Sequence, residues 1–304
     1  MDTHKYLIVG GSTKCGTTSV FNYFEFHPQV SACHLKESRY FWKDDYPLLA
    51  ASRNHNNVGS FSELFPDKNA PLRFEATPDY LYSTASAEAI KSRLQDVKLV
   101  FILREPVDRL RSWYKFANLN GLIDASLSFN DYIEIQKKDN DRATPQHLRA
   151  LEQNRYAHFL KNYIELFGES RIKIMFYENL KKDPLSFCRE ICEFSGLDST
   201  YFDAYEFRKF NVSAPVRNVN AHTFFRKMKR SIRPVTRLFA NSVRKKIKWA
   251  GQHVEMAWTS ANQSTVTLNT ELPAEQLLWL ENYYLSDLNQ LRQMTPGNIP
   301  WSKV

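Results

Sequence analysis

Tyr6-Leu-Ile-Val-Gly-Gly-Ser-Thr-Lys-Cys-Gly-Thr-Thr-Ser19 is the stretch that decides the fold of this chain. A short apolar run enters a glycine-containing turn, and a hydroxyl-rich helix start follows. That is the layout of a phosphate-binding loop: free N–H groups at the helix N-terminus point at an anion, and the helix dipole adds a favourable field. Gly11 and Gly16 keep the G-x-x-x-x-G spacing, but the next residue is Thr17, not lysine. The lysine stands two residues before the second glycine, as Lys14. The glycines permit backbone conformations that other residues resist. Thr17, Thr18 and Ser19 offer hydroxyl donors, and Lys14 offers a mobile point charge. The same letters also fit a plain strand-to-helix turn with Thr17 as its N-cap.

A second strand sharpens the choice. Lys98-Leu-Val-Phe-Ile-Leu103 is a short apolar, β-branched run suited to a buried parallel strand. In a nucleoside triphosphatase, a strand of this kind ends in an aspartate that holds magnesium. Here it ends in Arg104, followed by Glu105-Pro106-Val-Asp-Arg-Leu-Arg-Ser112, with Pro106 suited to the first turn of a helix. Arg104 and Ser112 are placed to share an anion, so the expected ligand carries two separated anionic groups and needs no metal. The alternative is that Arg104 pairs structurally with Glu105 or Asp108.

These two elements carry a resemblance. Lys14-Cys15-Gly16-Thr17-Thr18-Ser19 resembles the 5′-phosphosulfate loop of sulfotransferases that use 3′-phosphoadenylyl sulfate (PAPS). Arg104-Glu-Pro-Val-Asp-Arg109-Leu-Arg-Ser112 is similar to that family's 3′-phosphate element, Arg-x-Pro-x-x-Arg-x-x-Ser. Lys36-Glu37-Ser-Arg-Tyr40-Phe41 and Glu75-Ala-Thr-Pro78-Asp-Tyr80-Leu resemble segments of carbohydrate-type and bacterial members. The pattern departs from those members in three places: Arg39 where many have histidine, Ala76 where some have lysine, and no cysteine after Cys192. These departures weaken any transfer of glycan specificity.

The resemblance implies sulfo transfer from PAPS to a hydroxyl or amine of a carbohydrate, glycolipid or small metabolite, leaving 3′-phosphoadenosine 5′-phosphate (PAP). It assigns Lys14 to charge neutralisation during bond breaking, the Cys15–Ser19 loop to the 5′-phosphate, and Arg104 and Ser112 to the 3′-phosphate. Glu37 matches the general base of carbohydrate-type members, and His34 is the rival, by analogy with the histidine of cytosolic members. Asn211-Val-Ser-Ala-Pro-Val-Arg217 resembles a stretch that closes over the cofactor, which makes Arg217 a further 3′-phosphate candidate. Glu75 is expected as a second carboxylate, as a partner orienting Lys14, or as a structural group. Arg39 and Asp79 are candidates to face the acceptor.

The remaining signals concern architecture and surroundings. Strands are expected at 5–10, 30–34, 72–76, 98–103 and 171–176, and helices at 17–26, 84–95, 106–118, 147–167 and 272–293, with a further helix opening at Asp183-Pro184. Alternation of this kind predicts a single α/β domain over 1–304, with a central parallel sheet flanked by helices and ligand at the C-terminal strand ends. A strand at 30–34 parallel to the first would place Glu37 beside the phosphate loop. The chain has 41 Lys and Arg against 33 Asp and Glu. Thirteen of the basic residues and none of the acidic ones fall in 207–254, so the excess is local. Interleaved aromatic and apolar residues there suit a basic surface for an anionic glycan or membrane headgroups, or a solvated helix face packed on the core. Nucleic acid is not an expected partner. No apolar run approaches membrane-spanning length, and a cytoplasmic location is expected. Cys15, Cys33, Cys188 and Cys192 read as reduced thiols, the last two as packing residues, and no histidine spacing predicts a metal. A small-molecule kinase and a basic binding module are the rival classes.

Overall fold

The computed structural model describes residues 2–43, 45–47, 59–138, 144–208, 243, 247, 250–251, 254, 268–295, 297 and 299–301. Five strands form one sheet: β1 (Asp2–Gly11), β2 (Val30–Ala32), β3 (Leu72–Ala76), β4 (Leu94–Leu103) and β5 (Ile172–Phe176), in the order β2-β3-β1-β4-β5. All four pairings are parallel. The helices are α1 (Thr17–Phe24), α2 (Thr84–Arg93), α3 (Pro106–Leu119), α4 (Phe129–Lys138), α5 (Tyr156–Phe167), α6 (Tyr177–Lys182), α7 (Pro184–Ser195) and α8 (Ala274–Met294).

The sheet is buried on both faces, which is why its strands read as continuous apolar runs. Leu7, Val9, Val100 and Ile102 pack with Phe21 and Phe24 of α1 and with Cys188 and Ile191 of α7. On the other face, Phe101 meets Tyr163 of α5 edge to face, with centroids 4.8 Å apart. Cys188 and Cys192 are fully buried packing residues, and all four cysteines are free.

β1 lies between β3 and β4, so the loops leaving β1 and β4 are neighbours at the C-terminal edge of the sheet. An open parallel sheet opens its ligand crevice where the strand order reverses. β2, by contrast, is at the edge, with β3 between it and β1. The expectation that its end adjoins the phosphate loop is therefore corrected. Instead, the chain after β2 continues along the end of β3: Cys33 N–H donates to Phe74 O (2.7 Å) and Glu37 N–H to Ala76 O (3.0 Å).

Two helical expectations change. The 147–167 pattern divides into two short 3-10 turns, at Gln146–Leu148 and Glu152–Asn154, before α5 begins at Tyr156. α4 is an addition that the sequence pattern does not announce. Contacts divide the chain into two compact units: 1–114, 126–211 and 270–304 form one, and 115–125 with 212–269 form the other. The first holds all five strands. Arg217 and most of the basic segment lie outside the described residues. No helix among the described residues is long and apolar enough to cross a membrane.

Candidate functional site: an anion loop at the sheet edge

The loop after β1 is shaped by left-handed backbone at two positions. Gly16 is the N-cap of α1 with φ 81°, and Lys14 has φ 68°. A Cβ at Gly16 would lie 2.8 Å from Leu180 and 2.9 Å from Tyr177, so glycine is required there for space as well as for φ. At Gly11 a Cβ would stand 2.6 Å from Leu81. No side chain caps α1, whereas Ser83 caps α2 and Asp183 caps α7. The alternative that Thr17 is only an N-cap is therefore not met: Thr17 is the first helical residue. The leading N–H groups of α1 are thus left without a side-chain cap among the described residues.

The loop's side chains divide in role. Cys15 is wholly buried, its thiol held near Thr13 O and pushed up to about 11 by burial, so only its main chain can serve an anion. Thr17 and Ser19 are buried and Thr18 is half-buried. Lys14 is partly buried. Burial and then repulsion from Arg104 bring its ammonium down to about 8, partly countered by the Glu37 carboxylate. Arg109 acts on it in the same direction as Arg104. Arg104, Arg109 and Glu37 thus all act on the Lys14 ammonium.

Arg104 follows β4 and Ser112 sits half-buried in the second turn of α3. The guanidinium carbon of Arg104 lies 4.8 Å from the Tyr177 ring centroid, and its main-chain oxygen accepts from the Tyr156 hydroxyl at 2.8 Å. Its Nε is buried without a hydrogen-bond partner among the described residues. Neither proposed structural partner takes it. Glu105 accepts the N–H groups of Val107 and Asp108 (3.0 and 2.6 Å), and Asp108 pairs with Arg111 at 2.9 Å.

Glu37 occupies a strained turn, with φ 58° at Glu37 and 51° at Arg39. Its carboxylate pairs with Lys36 and, at 3.2 Å, with Arg39. Burial alone would push this carboxyl up, but the two cations outweigh burial and hold it below the usual range. Its side chain remains 32% exposed, so the group is ionised and reachable from solvent. Arg39 and Asp79 do not face outward as acceptor contacts. They form a buried pair (2.7 Å), and Asp79 also accepts from Gln146 at 2.9 Å. Glu75 does not bond Lys14 either. Its Oε1 accepts from Ser38 N–H (3.3 Å), Ser38 hydroxyl (3.0 Å) and Thr77 hydroxyl, which ties down the turn that carries Glu37. Burial pushes the Glu75 carboxyl up to about 7. His34 is half-buried at the end of the β2 segment, its N–H bound to Leu64 O.

Arg109, read from the sequence only as the second arginine of the 3′-phosphate element, receives no role of its own there. It is 0% exposed and lies under the loop, donating from Nε to Thr13 O (2.9 Å) and from Nη2 to Thr13 hydroxyl (2.6 Å). A signal for it was available: Arg109 falls on the buried stripe of α3 with Pro106, Leu110 and Trp113, where a charged residue is out of place unless it has a function there.

The comparisons with known proteins bear on the family and the fold. The family model described as "Sulfotransferase domain" matches residues 4–246. The chain belongs to the sulfotransferase domain family. Among solved structures, a sulfotransferase from Alicyclobacillus acidocaldarius superposes with a TM-score of 0.67 at 18% identity, covering 98% of each chain, which supports the fold. Among curated proteins, the mouse bifunctional heparan sulfate N-deacetylase/N-sulfotransferase 4 is 25% identical over 203 residues, 65% of this chain. The human N-deacetylase/N-sulfotransferase 3 is 25% identical over 206 residues, 64% of this chain. The chain spans under a quarter of the length of these relatives, 23% and 22% respectively.

Proposed function

We propose that this chain is a PAPS-dependent sulfotransferase acting on a hydroxyl or amine of a carbohydrate, glycolipid or small metabolite. The observation that carries the reading is that the Lys14–Ser19 loop after β1 and the Arg104–Ser112 segment after β4 leave neighbouring strands at the same sheet edge, where Arg109 donates to Thr13. The residues suit a doubly anionic nucleotide. Arg104 Nε is buried without a partner among the described residues, and the Gly16 turn leaves no room for a side chain. Gly16 to Ser19 would hold the 5′-phosphate, and Arg104 with Ser112 the 3′-phosphate; Arg217 is a further 3′-phosphate candidate from sequence alone. PAPS supplies the sulfo group and carries away the electrons of the broken S–O bond as PAP.

The chain's own residues do the rest by position and charge. Glu37, ionised and accessible, takes the proton of the acceptor hydroxyl or amine as the new bond to sulfur forms. Lys14 neutralises charge gathering on the departing phosphate side. At neutral pH it is still mostly ammonium, because its lowered value of about 8 lies above pH 7. The carbohydrate acceptor is favoured by the named activity of the heparan sulfate relatives. A kinase reading lacks support at two positions: Thr17 stands where a Walker lysine belongs, and Arg104 stands where a metal-holding aspartate would end β4.

The test is transfer itself. The protein is incubated with PAPS and a panel of glycans, aminosugars, glycolipids and phenols, without magnesium. Sulfated product and an equal amount of PAP are expected for at least one acceptor. Phosphoryl transfer from ATP that requires magnesium, with no sulfo transfer to any acceptor, would overturn the reading.

A further inference from the structure

Arg109 has an unusual set of neighbours. Its guanidinium is completely buried, and every partner is neutral. Nε and Nη2 hold Thr13. Nη1 donates to Asn154 Oδ1 (2.7 Å) and, more weakly, to Ala150 O (3.4 Å). Nη2 also donates to Gln153 Oε1 (2.8 Å) and to the Tyr82 hydroxyl (2.9 Å). The rings of Trp113 and Tyr82 lie 5.8 and 6.0 Å from its central carbon. Among the described residues, no carboxylate forms an ion pair with it. Hydrogen bonds are satisfied, but charge is not, and a buried charge without a counter-charge is costly.

We infer that Arg109 is a positioning residue with an electrostatic role. It is a permanent interior cation beneath the anion loop, and its counter-charge is the 5′-phosphate or phosphosulfate of the bound nucleotide. This rests on the nucleotide reading above. Arginine suits the role because it stays charged when buried, where a lysine loses its proton readily. Its fork fixes Thr13, the residue before Lys14, so the same side chain sets both the shape and the potential of the loop. Repulsion from Arg109 is one of the forces that lower the Lys14 ammonium. An arriving anion relieves both cations at once.

Gln153 provides a clean test. Its Oε1 accepts from Arg109. Gln153→Glu therefore supplies a carboxylate to Arg109 at nearly constant shape. The probe is PAP, titrated by calorimetry at pH 7 into wild type and Gln153→Glu, with thermal midpoints measured without ligand. Lys14 is titrated in parallel by competitive acetylation and mass spectrometry. The expected result is PAP affinity weaker by about ten- to a hundredfold in the variant, as for removal of one close charge. The midpoint should be unchanged or higher, and the Lys14 titration should move above its wild-type position near pH 8. Unchanged affinity and unchanged Lys14 titration in a folded variant would overturn the inference and leave Arg109 as scaffolding alone. If Gln153→Glu does not fold, Arg109→Met decides the matter. Lys14 should titrate above its wild-type position and PAP should bind at least about tenfold more weakly. An unchanged Lys14 titration in the folded variant would overturn the inference. Failure of wild type itself to bind PAP would instead strike the nucleotide reading.

Discussion

Two buried arginines, Arg39 and Arg109, stand at the same edge of the sheet and are treated in opposite ways. Arg39 meets two carboxylates: Asp79 at 2.7 Å and Glu37 at 3.2 Å. Arg109 meets carbonyls, hydroxyls and amides and, among the described residues, no carboxylate. The first cluster is electrically complete without a ligand, and it serves to hold a strained turn. The second is complete in hydrogen bonds but not in charge, so an anion improves it. Counting charge and hydrogen bonds separately thus distinguishes a clamp from a ligand site, even though both arginines are buried and both lie in motif-like segments.

The largest effects should come from breaking the members of each cluster. Glu37→Gln removes the proposed base while keeping its shape, and turnover with a true acceptor should fall by about 10²–10⁴. PAP affinity should barely change, because the group acts on the acceptor. Near-normal turnover would move the role to His34 or to a mechanism without a protein base.

Asp79→Asn leaves the buried Arg39 with Glu37 as its remaining carboxylate. Stability should drop, by less than the ~3–5 kcal/mol that follows when a buried charge loses its whole counter-charge. Denaturant unfolding measures it, and the protein that stays folded should still bind PAP. A drop confined to PAP binding, with stability intact, would place Arg39 and Asp79 in the ligand site and erase the contrast with Arg109.

Glu75→Gln probes the turn from below. Burial raises the folded carboxyl from its ordinary value of 4.5 to about 7, so its proton is held more tightly in the folded state. Its favourable contribution is complete below about pH 4.5 and is lost as pH rises through about 7. Wild type should therefore lose up to about 3 kcal/mol relative to Glu75→Gln between those limits. Parallel stability curves across pH 4–8 would show that Glu75 does not titrate as described.

A smaller effect concerns Lys14. PAP affinity should weaken progressively above about pH 8, where this ammonium deprotonates, and the dependence should be absent in Lys14→Met. Calorimetry across pH 7–9.5 reads both.

Much of the fold was legible because a buried parallel strand writes itself as an uninterrupted apolar run. All five strands lie close to their expected positions, and the loops after β1 and β4 meet as expected. Strand order was not legible. Nothing local in Val30-Ser-Ala32 says that β3 will insert between it and β1. The 3-10 turns before α5 were hidden because their buried residues, among them Gln146, Gln153 and Asn154, are polar ones serving Asp79 and Arg109. For the candidate site, the residues that the sequence nominates stand at fixed spacings: Lys14, Gly16, Arg104, Ser112 and Glu37. The supporting groups could not be read, because Ser38–Glu75 and Arg109–Gln153 are contacts between segments 37 and 44 positions apart. Sequence points Arg39 and Asp79 at the acceptor because it shows their charge but not that each neutralises the other.

The central claim is that this loop reads a nucleotide carrying phosphates on both its 3′ and 5′ sides. Calorimetric titration of PAP and AMP into wild type and Arg104→Ala tests it most directly. The account predicts that PAP binds wild type more tightly than AMP by roughly 2–4 kcal/mol, as for charge-assisted contacts to a partly buried phosphate. Arg104→Ala should bring the two nucleotides close together, chiefly by weakening PAP. Equal affinity of wild type for PAP and AMP would contradict the account.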